Sequence, residues 1–497
     1  MSSKLQFLNT LKYNPDDVGA LEEMGDFAEA NGRADLAIEA FTKALSLKSR
    51  CYKILLKRGK IYAKQGMLDY ALSDFSQSIL YEPRSAESYM LRGTLFGRTG
   101  KLTRAISDLS QAIVFRPKFA DAYYNRGLVH QKKCQTEQAL RDYTAAIDIE
   151  RTHIHALNNR GMIFRDQKMY QKAIYDFSTV LSIKPEFAQT HWNKALTHLM
   201  VGDYQSAWKH FEKRWDCPTF TSKKRSFTKP LWLGAKGLDN RSILLHSEQG
   251  LGDSIQYCRY IKLLETKAEK IFLEVEKPLA TLMQSILPPN RIFIKGDKLP
   301  EFDFHCPLMS LPRAFNTTIT SVPFAKPYLH VSSARIDWWK EYLSELKGLK
   351  VGVVWQGNPQ HPNDAKRSIK LECFLEKLQG NINWISLQKE LSSEDSALIK
   401  KQNSIIHLGN LIGDFHETGA LCKAIDAVVS VDTSIAHLAG AIGQKVHLLL
   451  PYNADARWHE KRSDSPWYSS VQIYRQDKNC DWAKPLAEVM QDLSKQI

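Results

Sequence analysis

Eight cysteines are scattered through the 497 residues, and no two of them form a Cys-x-x-Cys pair. That pattern builds neither a disulfide framework nor a zinc site, so the thiols read as reduced and mostly packed. No run approaches the roughly 20 apolar residues that a membrane-spanning helix needs. The opening residues, MSSKLQFLNTLKYNPDD, lack the apolar core of a secretory signal, so a cytoplasmic location is expected. A complete dinucleotide fingerprint is missing too, because Ile255 stands where the third glycine after Gly250 and Gly252 belongs. There is no G-x-x-x-x-G-K-[ST] phosphate loop and no Asp-x-Asp pair of the kind that holds Mg²⁺ in many nucleotide-sugar enzymes. His305 beside Cys306, and His361 near Asp364, match no common ligand spacing, so neither a metal nor another cofactor is expected. What is present in excess is positive charge, 68 Lys and Arg against 54 Asp and Glu, or +14. Such a balance suits nucleic acid, anionic lipid or a phosphorylated small molecule. The basic residues are spread out, without an arginine-rich arm or a nucleic-acid module, and nucleic acid is therefore not expected as a partner.

A period of 34 residues dominates the first part of the chain. Gly25, Gly59, Gly93, Gly127 and Gly161 share one position, with Ala195 in the sixth copy. Ala37, Ala71, Ala105, Ala139, Ala173 and Ala207 share a second. Four residues on stand Phe41, Phe75, Leu109, Tyr143, Phe177 and Phe211, and Pro83, Pro117 and Pro185 close three of the units. The pattern resembles the tetratricopeptide (TPR) repeat in six copies, over residues 1–216. Each unit is two short helices that interlock a small residue with a bulky one. A single hairpin cannot bury its apolar face, but stacked neighbours can, giving an α-solenoid with a concave inner surface. Such a surface suits an extended segment of another protein. Tyr89, Asn125, Arg126, Asn158, Asn159, Arg160 and Asn193 are the candidates to line it. The plain alternative is a rigid spacer, or a dimerisation arm that makes a homo-oligomer.

Residues 217–240 lose the helical period and read as an irregular linker, with Trp232 as the residue that pins it to a neighbouring core. From Arg241 onward strands and helices alternate. Strands are predicted at 242–246, 270–275, 291–294 and 303–307, then in a second series at 350–355, 383–387, 405–407, 427–431 and 446–450. Two successive series imply two Rossmann-like parallel-sheet lobes, residues 241–333 and 334–497, with a cleft between them. The first lobe is short.

The segment 424–451, AIDAVVSVDTSIAHLAGAIGQKVHLLLP, carries the most chemistry. A buried strand runs straight into Asp432-Thr433-Ser434, three residues of N-cap type, and then into a helix that bears His437 in its first turn. Gly443 suits the end of that helix. Ligands of open α/β sheets bind beyond the carboxyl ends of the strands, and a helix N-terminus there favours a phosphate. Read singly, Thr433 and Ser434 are caps and His437 is a packed side chain. Together, at a strand-to-helix switch, they mark a site.

Two more places belong with it. Gly250 and Gly252 let the backbone turn tightly after the first strand and present Asp253 at the edge of the cleft, although Asp253 fits a helix cap equally well. The polar loop 356–368 follows another buried strand and holds Asn358, His361, Asn363, Asp364, Lys366 and Arg367. Lys366 and Arg367 there would neutralise a diphosphate, the arginine through a forked contact. A solvated surface loop is the plain reading.

On these residues the second half resembles the two-lobed (GT-B) glycosyltransferases related to the lipopolysaccharide heptosyltransferases, glycosyltransferase family 9. It looks most like bacterial proteins that fuse TPR repeats to such a domain, some of them associated with glycosylation of flagellin or other proteins. The resemblance covers about residues 230 to 490. It implies that Gly252-Asp253 supplies the catalytic base. It implies that Asp432-Thr433-Ser434-Ile435-Ala436-His437 matches an Asp-Thr-Gly-x-x-His segment at the donor diphosphate, with Ser434 in place of glycine. Lys366-Arg367 would match the basic phosphate loop, and the neighbourhood of Gln388-Lys389-Glu390 a donor-contacting strand end. The implied activity is metal-independent transfer of a sugar from a nucleotide-diphosphate sugar to a protein or glycan presented along the repeats. Two alternatives remain: a repeat scaffold whose α/β part binds a sugar nucleotide without turning it over, and a sugar-nucleotide epimerase or hydrolase of the same fold.

Overall fold

The computed structural model describes residues 6–360, 363–378, 381–402 and 404–496. His361 therefore lies outside the described residues. The chain divides into two compact units, Met1–Phe187 and Ala188–Ile497. None of the described helices is long and apolar enough to cross a membrane.

In the first unit helices pair at the expected period: Val18–Ala30 with Ala34–Leu47, Tyr52–Lys64 with Leu68–Tyr81, Ala86–Arg98 with Leu102–Phe115, Ala120–Lys132 with Thr136–Ile149, and Ile154–Asp166 with Tyr170–Ile183. The reason for the small residue is visible at Gly161. A methyl group there would lie 2.7 Å from the Phe177 ring, well inside van der Waals contact. Ala37, Ala71, Ala105, Ala139 and Ala173 are fully buried.

A second periodicity runs across the hairpins. Arg58, Arg92, Arg126 and Arg160 hold Asp74, Asp108, Asp142 and Asp176 through Nε and Nη2 at 2.7–3.0 Å. The remaining Nη1 of each reaches back to a hydroxyl of the preceding hairpin, on Thr42, Ser76, Ser110 and Thr144. Each forked guanidinium thus ties two neighbouring units. Arg126 and Arg160, expected on a partner-binding face, spend their donors on the array itself. Asn158 is also buried, and Asn193, which belongs to the second unit, is buried there. Substituting Arg126 by leucine strands Asp142, which is buried. The expected loss is about 2–3 kcal/mol of array stability, read from urea unfolding followed by far-ultraviolet circular dichroism.

The second unit begins with the helices Ala188–Met200 and Tyr204–Phe211, which match the sixth repeat in sequence. They group with the α/β part because Tyr204, Trp208 and Phe211 enter its core. Trp208 Nε1 donates to the Thr317 carbonyl at 2.8 Å, and the Tyr204 hydroxyl meets His459 Nε2 at 3.0 Å. Residues 217–240 form a strap rather than a free tether. Arg225 pairs with Glu274 at 2.6 Å, and Trp232 N–H donates to the His305 carbonyl at 2.8 Å. Trp232 is buried as anticipated.

Two wholly parallel sheets follow. The first contains β1 (Ser242–His246), β2 (Lys270–Val275), β3 (Ile292–Ile294) and β4 (Phe304–Pro307), in the order β3-β2-β1-β4. The second contains β5 (Leu349–Val354), β6 (Ile382–Ser386), β7 (Ile405–His407), β8 (Ala427–Val431), β9 (Val446–Leu450) and β10 (Val471–Arg475), in the order β10-β9-β8-β5-β6-β7. In each sheet the strand order reverses at the first strand, between β1 and β4 and between β5 and β8. Those are the switch points beyond which ligands bind in such sheets. β8 and β9 are buried at every position, which explains why only Ser430 and His447 interrupt their apolar runs. Gly443 closes the helix Ser434–Ala441 with φ +73°. β10 and the helices Ser393–Gln402 and Ala483–Ser494 have no counterpart in the sequence reading.

One apolar core runs from β1 and β2 through the helices Leu251–Tyr257 and Ser434–Ala441 to one face of the second sheet, at Val428, Val446 and Leu448. The other face, Val351, Val353, Val429 and Leu449, packs under Leu486, Val489 and Leu493. Arg259 reinforces the join. Fully buried, it donates to the Trp467 carbonyl at 2.7 Å and lies against the rings of Tyr328 and Tyr468. The cleft expected between the sheets is therefore occupied, along this line, by packed side chains.

Candidate functional site

The turn after β1 and the turn after β8 meet. Leu251–Tyr257 starts directly beyond β1, and Ser434–Ala441 directly beyond β8. A Cβ on Gly252 would lie 2.7 Å from the His437 ring and 3.4 Å from Ser434 Cα. Gly252 thus permits the close approach of two helix starts. Neither it nor Gly250 adopts a positive φ, so the expected role of this pair in making a tight turn is corrected.

Asp253 does two things here. Its Oδ2 accepts the Gly250 N–H at 3.0 Å, which is the capping role. Its Oδ1 accepts from Arg457 Nη2 at 2.8 Å. Arg457, from the loop after β9, also donates through Nε to Asp455 at 2.9 Å and through Nη1 to Gln256 at 2.7 Å. The same Nη1 lies 3.4 Å from His437 Nε2. A guanidinium can only donate, so Nε2 accepts, and the His437 proton resides on Nδ1, shared with the Tyr468 hydroxyl at 2.9 Å. Burial first, and the Arg457 charge second, hold His437 well below the usual histidine range, so the imidazole is neutral. Trp458 stacks on it at 5.2 Å.

The basic loop reaches the same turn. Arg367 Nη1 donates to the Asp432 carbonyl at 2.9 Å, while its Nε is held by Asp364 at 3.1 Å. Thr433 occupies the N-cap position with extended backbone, and no side chain caps that helix; its hydroxyl lies 3.2 Å from Ser430 Oγ. Burial, with the Asp455 charge adding to it, raises the Asp432 carboxyl. Asp253, Asp432, Thr433, Ser434, His437 and Arg367 are therefore brought together. Lys366 and Asn358 are exposed on the loop, and Asn358 Oδ1 accepts the Gln360 N–H. Gln388 gives its carbonyl oxygen to the N–H groups of Trp355 and Gln356, at 3.1 Å each, and so fixes the end of β5. Glu390 is exposed. Among the described residues no group of three or more His, Cys, Asp or Glu is arranged to hold a metal ion.

Repeat-family profiles match residues 3–50, 120–153 and 155–187, described as tetratricopeptide repeat, and 93–133, described as TPR repeat. The helical array is a run of tetratricopeptide repeats. The chain is also similar to Protein FlbA of Caulobacter vibrioides, at 22% identity over 329 residues, covering 61% of this chain and 54% of FlbA. It thus spans about half the length of that curated relative. Among solved structures, MamA is 27% identical, with a TM-score of 0.31, and covers 35% of this chain and 94% of its own. YrrB, described as a TPR protein with an unusual peptide-binding site, is 17% identical, with a TM-score of 0.32 and coverage of 38% and 97%. A tetratricopeptide repeat protein from Parabacteroides merdae is 18% identical, with a TM-score of 0.37 and coverage of 43% and 84%.

Downstream of the tetratricopeptide repeats, the residue that sequence reasoning missed is Arg457. The signal was available: Tyr452–His459 is a polar loop at the carboxyl end of a buried strand, the criterion that singled out 356–368. The Asp253–Arg457 pair spans 204 residues, a separation no local pattern reports.

Proposed function

We propose that residues 241–497 form a two-lobed GT-B domain that transfers a sugar, without a metal, from a nucleotide-diphosphate sugar to a protein or glycan acceptor recruited by the tetratricopeptide repeats. One observation carries this reading: a carboxylate from the β1 turn and a cation-flanked helix start from the β8 turn converge at the switch points of two parallel sheets. Asp253 takes the proton of an acceptor hydroxyl as that oxygen bonds to the anomeric carbon. The bond from that carbon to the diphosphate breaks, and the departing oxygen takes the electron pair. Arg367, Thr433 and the N–H groups at Ser434 stabilise the charge that develops there. Neutral His437 stacks beneath the turn and keeps its geometry, acting as a positioning residue rather than a titrating one.

The engagement of Asp253 by both Arg457 and Gly250 favours one second reading, a scaffold that binds a sugar nucleotide without turning it over. Single-turnover transfer across a panel of donors separates the two. Asp253→Asn, which keeps an oxygen for the Gly250 N–H, is expected to lower the transfer rate at least about a hundredfold with donor binding retained. A wild-type rate in that variant removes the base. Binding without transfer or hydrolysis in the unaltered protein supports the scaffold.

A further inference from the structure

We propose that Arg457 is a diphosphate-binding residue held in reserve by Asp253, so that an arriving diphosphate draws the guanidinium away and frees the carboxylate. This rests on the donor-site reading above. Arg457 is the one side chain that touches the cluster from every side, with Asp253 and Gln256 on the β1 helix, His437 on the β8 helix and Asp455 on its own loop. Its side chain is 15% exposed and that of Asp253 14%, so the pair is shielded but reachable. Arg367 reaches the same turn through the Asp432 carbonyl. A ligand placed against Thr433 and Ser434 thus has two guanidiniums in its neighbourhood.

Charge balance explains why the exchange is needed. Four carboxylates, Asp253, Asp364, Asp432 and Asp455, face two guanidiniums, Arg367 and Arg457. An anion binds there only when one of the acids gives up its claim on a cation. Asp455 is adjacent in sequence to Ala456 and Arg457 and moves with them on one loop. Asp253 is fixed to a helix start by Gly250. The contact that opens when the loop shifts toward a ligand is therefore the one between Arg457 and Asp253. With one oxygen held by Arg457 and the other by the Gly250 N–H, the carboxylate has neither turned toward an acceptor hydroxyl, and release exposes one. Donor binding and activation of the base become one event, which protects the acceptor hydroxyl from premature deprotonation.

The test is a double-mutant cycle on the full chain, with inorganic diphosphate as the probe in low-salt calorimetry. Asp253→Asn is expected to tighten binding about tenfold, because the competing carboxylate is gone, and Arg457→Met to weaken it about tenfold. In the Arg457→Met background, Asp253→Asn is expected to change binding less than about twofold, since nothing is left to compete for. Arg457→Lys keeps one donor and is expected to fall between the wild type and Arg457→Met, with thermal melting confirming that each variant is folded. Equal tightening by Asp253→Asn in both backgrounds overturns the proposal, because Asp253 then acts only as a repelling charge. Wild-type binding in Arg457→Met also overturns it. Either result leaves the donor-site reading intact, whereas no diphosphate binding by any variant overturns both.

Discussion

Replacing Arg214 by methionine is expected to destabilise the 188–497 unit by about 3–5 kcal/mol. Arg214 follows the sixth repeat and is wholly buried. Its guanidinium donates to Glu248 at 2.9 and 3.0 Å, to Ser310 at 2.7 Å and to the Phe211 carbonyl, with Glu212 at 3.1 Å. Phe211 and Trp215 lie against it at 4.6 and 4.7 Å. Methionine fills a similar volume but leaves Glu248 buried without its counter-charge, and an orphaned ion costs more than the pair contributes. The double substitution Arg214→Met with Glu248→Leu is accordingly expected to recover most of the loss. All eleven tryptophans lie beyond residue 187. Urea unfolding followed by tryptophan fluorescence therefore reports on this unit alone. A shift of less than about 1 kcal/mol in the single variant would show the cluster to be solvated.

Acid is expected to unfold the same unit well above the carboxylate range. Among the described residues of this unit, five buried histidines sit below the ordinary value near 6.5, each mainly through burial: His246 at about 3, His447 and His459 at about 4, His437 well below the usual range, and His198. In the unfolded chain these rings take up protons near pH 6.5; in the folded chain they do not. Their contribution to stability is complete above pH 7 and is lost progressively below about 6.5. For His447 or His459 alone, a depression to about 4 is worth roughly 3 kcal/mol once the pH has reached that value. Glu248, pushed up to about 7, and Asp432, pushed up to about 6, both mainly by burial, work in the opposite sense, and two acids do not offset five imidazoles. The urea midpoint followed by tryptophan fluorescence is expected to stay level from pH 8 to 7 and then fall steeply to pH 5. Replacing His447 by glutamine is expected to flatten that fall. A midpoint unchanged between pH 7 and 5 would mean that the rings are hydrated.

How much of this was legible in the residues follows the range of each interaction. The repeat period shows in the sequence because Gly161 and Phe177 pack within one hairpin, and each copy repeats the demand. The strands β8 and β9 show because burial on both faces makes four of the five side chains in each apolar. β10 escaped notice because Gln472 and Arg475 interrupt it, as expected of an edge strand with one neighbour. The arginine–aspartate ladder escaped because its partners stand sixteen residues apart on different helices, at no helical or strand spacing. At the site, the turn at Asp432–Ser434 was readable from cap chemistry, and Asp253 from its place after a strand. Their proximity was not, since it depends on Gly252 fitting beneath His437, and the loop that carries Arg457 was readable while its pairing with Asp253 was not.

The covering of the first sheet by residues 188–240 has an evolutionary corollary. Whole hairpins ahead of Ala188 are open to gain, loss or shuffling, because successive ones are tied by the same arginine-to-hydroxyl contact. The final hairpin cannot be exchanged so freely, since a substitute would arrive without Tyr204, Trp208, Phe211 and Arg214. A chimera that carries a foreign array should therefore be spliced after Phe187, with the native 188–240 segment retained as part of the α/β half.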